Sequence, residues 1–340
     1  MSILFIALRV LGLLCFSFCT LSCSQGDTLD VKSAQPAATN AATDATPKKA
    51  TAFDGERALA SVKTQVDFGP RPAGSGALQQ TRDYLVKELK SYGLKVSLDE
   101  FTPTTPPKVT PGKTRMANII AELPGETDQV IALGSHYDTK TFKEFTFVGA
   151  NDGGSSTGAL LEIARVWAME NKTKRKYTYQ FVFFDGEEAF CAEWSQCLNG
   201  VDNTYGSRYM AERLKAEKKL DKFKALILLD MIGDKDLAIQ REDNSTAWLT
   251  DTIWQTAREA GYSKQFPTSS MSIEDDHARF LSVGAAAVDL IDFDYGPGHA
   301  YWHTEKDTFD KLSAQSLKAV GDVVLLSLPA IEAKLEAKIK

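Results

Sequence analysis

Two stretches of the chain are apolar almost without interruption. They are TYQFVFFD, residues 178–185, and KALILLDMIG, residues 224–233. Such runs are typical of strands that are buried on both faces, in sheets covered by helices on either side. Residues 78–92, LQQTRDYLVKELKSY, repeat their leucines with helical spacing and predict an amphipathic helix. Strands that alternate with helices indicate a layered α/β domain with a largely parallel or mixed central sheet.

Polar side chains follow three of the predicted strands at the point where each strand ends. His136 and Asp138 follow VIALGS, the pair Glu187 and Glu188 follows QFVFFDG, and Asp230 follows LILL. In open α/β sheets, functional groups collect beyond the carboxyl ends of the strands. This placement predicts one shared site.

The residue types at these positions suit a divalent metal. Zinc binds imidazole nitrogen and carboxylate oxygen in tetrahedral geometry, so its ligands must converge from different elements. The candidate ligands are His136, Asp152, Glu188, Asp230 and His303. Taken alone, Asp152 could instead cap a helix, and His303 could be a hydrogen-bonded core histidine. Two adjacent acids could form a solvated turn, or one could bind metal while its neighbour transfers protons.

The N-terminal region predicts export. Residues 1–23 are mostly apolar with Arg9 among them, which indicates a signal peptide, with an uncleaved membrane anchor as the alternative. The sequence before Cys23 is similar to a bacterial lipobox and predicts lipidation at that residue. Residues 24–52 are rich in Ala, Thr and Pro and predict a flexible linker. A single catalytic domain, 53–340, remains, and we expect it in the periplasm or outside the cell.

The charge bears on which partners the protein binds, and the cysteine content bears on whether it contains a disulfide. The net charge of −6 and the lack of a basic segment argue against a nucleic-acid partner. Cys191 and Cys197 are the two cysteines of the predicted domain. In an oxidising compartment they could form a disulfide, and otherwise they would be reduced thiols.

Seven motifs occur in an order that resembles the zinc aminopeptidase and glutaminyl cyclase superfamily. They are GSHYDT, GANDGGSSTGALLEIAR, FFDGEEAF, YGSRYMAERL, LLDMIG, EDDHARFLSVGAAAVDLI and YWHTEKDT. The resemblance implies a three-layer α/β/α sandwich around a mixed, mostly parallel sheet. It also implies a ligand order that maps onto His136, Asp152, Glu187-Glu188, Asp230 and His303. In the aminopeptidase branch these residues hold two zinc ions, and the first Glu activates water.

Further details resemble the animal-type glutaminyl cyclase branch, notably DGEEAF followed by Trp and YGSR. That branch holds one zinc ion, and the resemblance implies Asp152, Glu188 and His303 as its ligands. The residue matching Glu187 shuttles a proton and is hydrogen-bonded to the residue matching Asp230. The resemblance therefore implies a catalytic role for both, and also for Asp275, whose counterpart contacts the substrate.

Other residues are assigned supporting roles by the same resemblance. Trp194 and Trp302 would form the walls of a small pocket, with ordinary core tryptophans as the alternative. Glu274, which stands where animal cyclases carry Gln, is a candidate for substrate binding. His136 and Asp230 could hold a second metal or support the first, and His277 is expected to orient an acid or the backbone.

The predicted function is a zinc-dependent glutaminyl-peptide cyclotransferase. It would convert the N-terminal glutamine of peptides or proteins to pyroglutamate and release ammonia. The alternative is a zinc aminopeptidase, because the sequence retains His136 and Asp230. A third possibility, a catalytically silent binding protein, is disfavoured by the complete set of acids and histidines. We expect a monomer.

Overall fold

The structure, a computed structural model, describes residues 51–169 and 175–337. The predicted signal peptide 1–23, with Cys23, lies outside the described residues, as does the predicted linker 24–52 except for its last two residues. The first of these, Thr51, donates hydrogen bonds from its backbone N and its Oγ1 to Asp322 Oδ1. Within the described residues, Thr51 therefore contacts the domain two residues before the predicted boundary at residue 53.

A six-stranded sheet forms the centre of the domain. Its strands, in spatial order, are β1 (Lys95–Phe101), β2 (Met116–Leu123), β4 (Thr178–Phe184), β3 (Val130–His136), β5 (Phe223–Asp230) and β8 (Ala287–Ile291). The pairs β1–β2 and β2–β4 are antiparallel, and the pairs β4–β3, β3–β5 and β5–β8 are parallel. The short strands β6 (Arg241–Glu242) and β7 (Ser270–Met271) pair separately. The mixed, mostly parallel sheet is as predicted.

Helices cover both faces of this sheet. They are α1 (Gly55–Asp67), α2 (Gly76–Ser91), α3 (Gly154–Met169), α4 (Tyr205–Ala216), α5 (Ala247–Ala260), α6 (Asp276–Ser282) and α7 (Ala314–Ala337), with a 3₁₀ turn at Phe309–Lys311. Side chains of α1, α2, α3, α5 and α7 share one apolar core with the sheet, and side chains of α4 and α6 share a second. The predicted three-layer α/β/α sandwich is therefore confirmed.

Strand β4 shows why the apolar runs carry so few polar residues. Phe181 and Phe183 enter the larger core, whereas Val182 and Phe184 enter the smaller core on the opposite face. Because successive side chains of a strand point to opposite faces, a strand between two helical layers needs apolar residues at every position.

Helix packing on the larger face leaves little space between backbones. Gly158 of α3 faces α1 so closely that a Cβ there would lie 2.7 Å from the Ala58 carbonyl oxygen. Helix α7 is long and apolar enough to span a membrane by composition, but two thirds of its apolar window is buried within the domain. Tight packing of these helices fixes the sheet whose edge carries the polar residues.

Candidate active site

The parallel strands bring the predicted polar residues to one edge of the sheet. His136 is the last residue of β3, Asp230 is the last residue of β5, and Glu187 and Glu188 follow β4. Asp152 lies in the turn before α3. The loop that follows β8 supplies His303, so the residues of the site come from five separate segments of the chain.

Asp152, Glu188 and His303 form one group of potential metal ligands. His303 Nε2 lies 3.3 Å from Asp152 Oδ2 and 3.2 Å from Glu188 Oε1. Ligands about 2 Å from a tetrahedral zinc ion lie roughly 3.3 Å from one another. Two buried oxygens of this group, Asp152 Oδ2 and Glu188 Oε2, have no hydrogen-bond partner among the described residues. Both the donor types and their spacing therefore fit zinc.

His136, Asp152 and Asp230 form a second group of the same kind. His136 Nε2 lies 3.1 Å from Asp230 Oδ1 and 3.3 Å from Asp152 Oδ1. Asp152 belongs to both groups and could bridge two ions. Asp230 thus lies against His136. The family resemblance implied a hydrogen bond between Asp230 and Glu187 instead.

The acids at this edge are buried close together, which changes their protonation. Burial raises the pKa of Glu187 well above its usual value, and the carboxylates of Glu188 and Asp275 raise it further. Burial and the Asp230 carboxylate raise the pKa of Asp275 to about 7. A raised pKa makes a carboxylate a stronger base, so it can accept a proton and later return it, which is what a proton carrier must do.

The pKa of the His303 imidazole is also raised, but here the raised pKa means that the site favours the charged form. Burial lowers its pKa, but the carboxylates of Glu188 and Asp152 outweigh burial and raise the pKa to about 9. The two carboxylates therefore stabilise a positive charge at this point of the site. A divalent cation between the same three side chains would supply that charge.

Backbone hydrogen bonds fix the two adjacent acids. Asp138 accepts hydrogen bonds from the backbone N of Glu187, at 3.0 Å, and of Glu188, at 3.2 Å. The Thr204 backbone N donates to the Glu187 carbonyl oxygen at 2.7 Å. Gly186, with φ +70°, makes the turn that separates the acids from β4. Asp138 is therefore a positioning residue, although its place at a strand end suggested a metal ligand.

A second carboxylate fixes the segment that carries Asp152. Asp307 accepts hydrogen bonds from the backbone N of Asn151, at 2.8 Å, and of Asp152, at 3.1 Å. The Tyr295 hydroxyl donates to the same carboxylate at 2.9 Å. Sequence reasoning did not identify Asp307, and the only signal for it was its position four residues after His303.

A buried lysine was also missed. The Lys140 side chain is almost completely buried, and its Nζ lies 3.7 Å from Glu188 Oε2. The same ammonium donates to the carbonyl oxygens of Ala189, at 3.2 Å, and Cys191, at 3.3 Å. Lys140 therefore anchors the chain that leaves the paired acids and places a positive charge beside one of them.

The acids open into a cavity of about 470 Å³ with aromatic and aliphatic walls. Trp194, Trp302, Phe142 and Phe293 line it, and the acids lie at its base. The Trp302 ring stacks on the ring of His303, with centroids 4.0 Å apart. The cavity therefore combines apolar walls with a polar base, which is typical of a small-molecule or peptide site.

Two predicted residues lie away from the base of this cavity. Glu274 lines the cavity but is largely exposed, and its carboxylate pairs with Arg279. His277 is completely buried, with its Nε2 atom 3.1 Å from Glu242 Oε2 and its Nδ1 atom 3.5 Å from Asp289 Oδ2. The structure therefore places His277 with other acids, as a residue that orients them, and outside both potential metal groups.

Comparisons with known proteins agree with this geometry. The model of peptidase family M28 matches residues 118–328, more than half of the chain. A glutaminyl-peptide cyclotransferase of Drosophila melanogaster is 30% identical over 292 residues, which are 79% of this chain and 79% of that protein. The chain is thus similar in sequence, over most of its length, to a protein named as a glutaminyl-peptide cyclotransferase.

Solved structures give the same result. A glutaminyl cyclase of an Acidobacteriales bacterium has a TM-score of 0.76 and 36% sequence identity, and covers 85% of this chain and 99% of that one. A Zn-dependent exopeptidase of Parabacteroides distasonis has a TM-score of 0.69 and 30% identity, and covers 83% of this chain and 98% of that one. Both similarities extend over nearly the whole described domain.

Proposed function

This chain belongs to peptidase family M28, and we propose that within this family it is a glutaminyl-peptide cyclotransferase. The reaction converts the N-terminal glutamine of a peptide or protein to pyroglutamate and releases ammonia. The similarity to proteins named as glutaminyl cyclases supports this activity. The observation that carries the proposal is the placement of Glu187, a buried carboxyl that lines a cavity with apolar walls together with the potential metal ligands and Asp275.

We propose that Asp152, Glu188 and His303 hold one zinc ion. A Zn-dependent relative and the spacing of these three side chains support that metal. When bound there, zinc would act as a Lewis acid on the γ-carbonyl of the glutamine. The stacked ring of Trp302 and the ammonium of Lys140 would hold His303 and Glu188 in orientation.

Glu187 would carry the proton that the reaction must move. The α-amine of the peptide attacks its own γ-carbonyl, forming a C–N bond and closing a five-membered ring. Glu187 takes a proton from the attacking nitrogen and delivers it to the amide nitrogen that leaves as ammonia, so one carboxyl acts first as base and then as acid. Because both reacting groups belong to one residue, the site needs only to fold that residue and exclude water.

The remaining residues would bind and orient the substrate. Trp194 and Trp302 offer apolar faces to the methylene groups of the glutamine side chain. Asp275 has a buried oxygen without a hydrogen-bond partner among the described residues, so it could accept a hydrogen bond from the α-amine or share a proton with Glu187. Asp230 would stabilise this arrangement through His136, and Glu274 could contact the substrate from the rim.

A zinc aminopeptidase is the second candidate, and one observation favours it. His136, Asp152 and Asp230 have the geometry of a further metal site beside the first. With two ions, Glu187 would activate water and the enzyme would remove the N-terminal residue. Both candidates require the same fold, so the products must separate them.

The experiment offers the purified protein two substrates, a peptide that begins with Gln and an aminoacyl chromogenic amide. We expect ammonia from the peptide and no amine from the amide. An N-acetylated copy of the peptide is the matched control, because it has no free amine and should release no ammonia. Amine release from the chromogenic amide without ammonia from the peptide would refute the cyclotransferase and support the peptidase.

We further propose that the protein is exported, with Cys23 as a site of lipid attachment. The disulfide between Cys191 and Cys197 supports this location, because disulfides persist mainly in oxidising compartments. Membrane fractionation of the wild type and of Cys23→Ala tests the anchor. Release of the variant alone into the soluble fraction is expected, and identical fractionation would contradict lipidation.

A further inference from the structure

A disulfide closes a segment that forms part of the wall of the catalytic cavity. Cys191 and Cys197 are bonded, and they close a ring that contains Trp194. Three consecutive residues of this ring, Ala192, Glu193 and Trp194, line the cavity. One side of the proposed substrate pocket is therefore built from a small covalent ring.

The ring is attached to the rest of the protein at Cys191. The Cys191 backbone N donates to Asp202 Oδ2 at 2.9 Å, and its carbonyl oxygen accepts from Lys140 Nζ. Asp202 is itself held by the Tyr205 hydroxyl at 2.7 Å. Cys191 is buried, whereas Ala192 and Glu193 are exposed. The disulfide therefore ties an exposed surface segment to a fixed point.

Other contacts would hold Trp194 poorly if that link were broken. Among the described residues, Trp194 has no hydrogen-bond or ring-stacking partner, unlike Trp302, which stacks on His303. The chain after the ring also passes through left-handed backbone at Leu198, with φ +49°, and at Asn199, with φ +57°. Asparagine adopts this conformation fairly readily, but leucine rarely keeps it without an outside constraint.

The backbone of the paired acids is held by contacts outside the ring, and a shared neighbour is Lys140, which contacts both Cys191 and Glu188. Asp138 and Thr204 bind the backbone of Glu187 and Glu188, and neither contact involves residues 192–197. Opening the disulfide should therefore release the pocket wall and leave the metal group and the proton carrier in place.

We propose that the Cys191–Cys197 disulfide determines substrate binding by positioning Trp194 against the glutaminyl peptide, so that the redox state of this pair sets KM and leaves kcat nearly unchanged. The inference rests on the proposed cyclotransferase activity. It assigns to these cysteines a role in recognition, distinct from a general contribution to stability.

The test compares the wild type with the double variant Cys191→Ser/Cys197→Ser on a Gln-initiated peptide. We expect KM to rise about tenfold or more, which corresponds to ~1.4 kcal/mol per tenfold change. The expected change in kcat is less than about twofold. Such a change corresponds to less than half of the ~1.4 kcal/mol that a tenfold change represents. Zinc content should equal that of the wild type. Trp194→Ala should raise KM to a similar extent, and adding it to the double variant should cause little further change.

Reduction of the wild type gives an independent arm. A trialkylphosphine supplies two electrons, water supplies two protons and the oxygen of the phosphine oxide, and the disulfide becomes two thiols. KM should rise as in the double variant and recover after reoxidation. The double variant treated with the same phosphine is the matched control for loss of zinc to the reagent, and its kinetics should not change.

The outcomes are distinguishable. An inactive wild type would refute the proposed function, and this inference would fall with it. An active double variant with unchanged KM would refute the inference alone. A parallel loss of kcat and zinc would show that the disulfide supports the whole site, and would also refute a role confined to recognition.

Discussion

Replacing Glu187 by Gln removes the proposed proton carrier with little change in shape. The backbone of this residue is fixed by Asp138 and Thr204, so Gln should occupy the same position. Burial already raises the pKa of Glu187, so a neutral amide suits the surroundings and should cost little stability. Loss of general acid–base catalysis lowers kcat by about 10²–10⁴-fold. This corresponds to about 3–5 kcal/mol in the activation free energy.

The assay measures steady-state ammonia release together with zinc content. We expect Glu187→Gln to keep zinc and wild-type KM within a few fold, while kcat falls at least a hundredfold. Asp276→Asn is the matched control, because Asp276 is a neighbouring buried acid whose pKa burial and Asp275 raise to about 7, yet it does not line the cavity. A Glu187→Gln enzyme with more than half of wild-type kcat would refute the role, and so would loss of zinc.

Three further predictions concern other parts of the account. Glu188→Ala should lose zinc, so adding zinc should no longer raise its melting temperature. A variant that retains the metal would contradict the assignment of Glu188 as a ligand. Asp138→Asn should lower kcat by roughly 10–100-fold, because the two backbone N–H groups bind different oxygens of Asp138 and the NH2 group of Asn cannot accept a hydrogen bond. Wild-type activity would show that these bonds do not position the acids. Gly158→Ala should destabilise the fold by about 1–3 kcal/mol in urea unfolding, because its Cβ would meet the Ala58 carbonyl oxygen, and an unchanged midpoint would contradict the close packing of α1 and α3.

The layered fold could be predicted because its signals are local. Apolar runs marked β4 and β5 as strands buried on both faces, and the leucine spacing of residues 78–92 marked α2. The spacing of apolar residues involves only neighbouring positions of the chain, so it can be read from a single sequence. The resemblance of seven ordered motifs then supplied the topology that local patterns lack.

The supporting residues of the site were harder to predict because their partners are distant in sequence. Asp307 binds the backbone of Asn151, which lies 156 positions away. Lys140 has the sequence context of a surface residue, yet it is buried beside Glu188. Asp138 follows a strand as a ligand would, and only the folded chain shows its oxygens facing backbone N–H groups. Hydrogen bonds from backbone N–H groups have no sequence signature, since every residue except proline can donate them.

The disulfide shows the same limit. The spacing of Cys191 and Cys197 allowed a bond but did not show where the ring would lie. Its contribution to the cavity wall depends on the loop between β4 and α4, whose course follows from Lys140 and Asp202.

In the proposed reaction, the buried carboxyl of Glu187 transfers the proton for ring closure within the substrate and does not activate water. The most direct test is mass spectrometry of a Gln-initiated peptide after turnover in water labelled with heavy oxygen. We expect a product of unchanged residue number that has lost one ammonia and contains no solvent oxygen. Removal of the first residue with one labelled oxygen in the released carboxylate would contradict it, and so would conversion of Gln to labelled Glu.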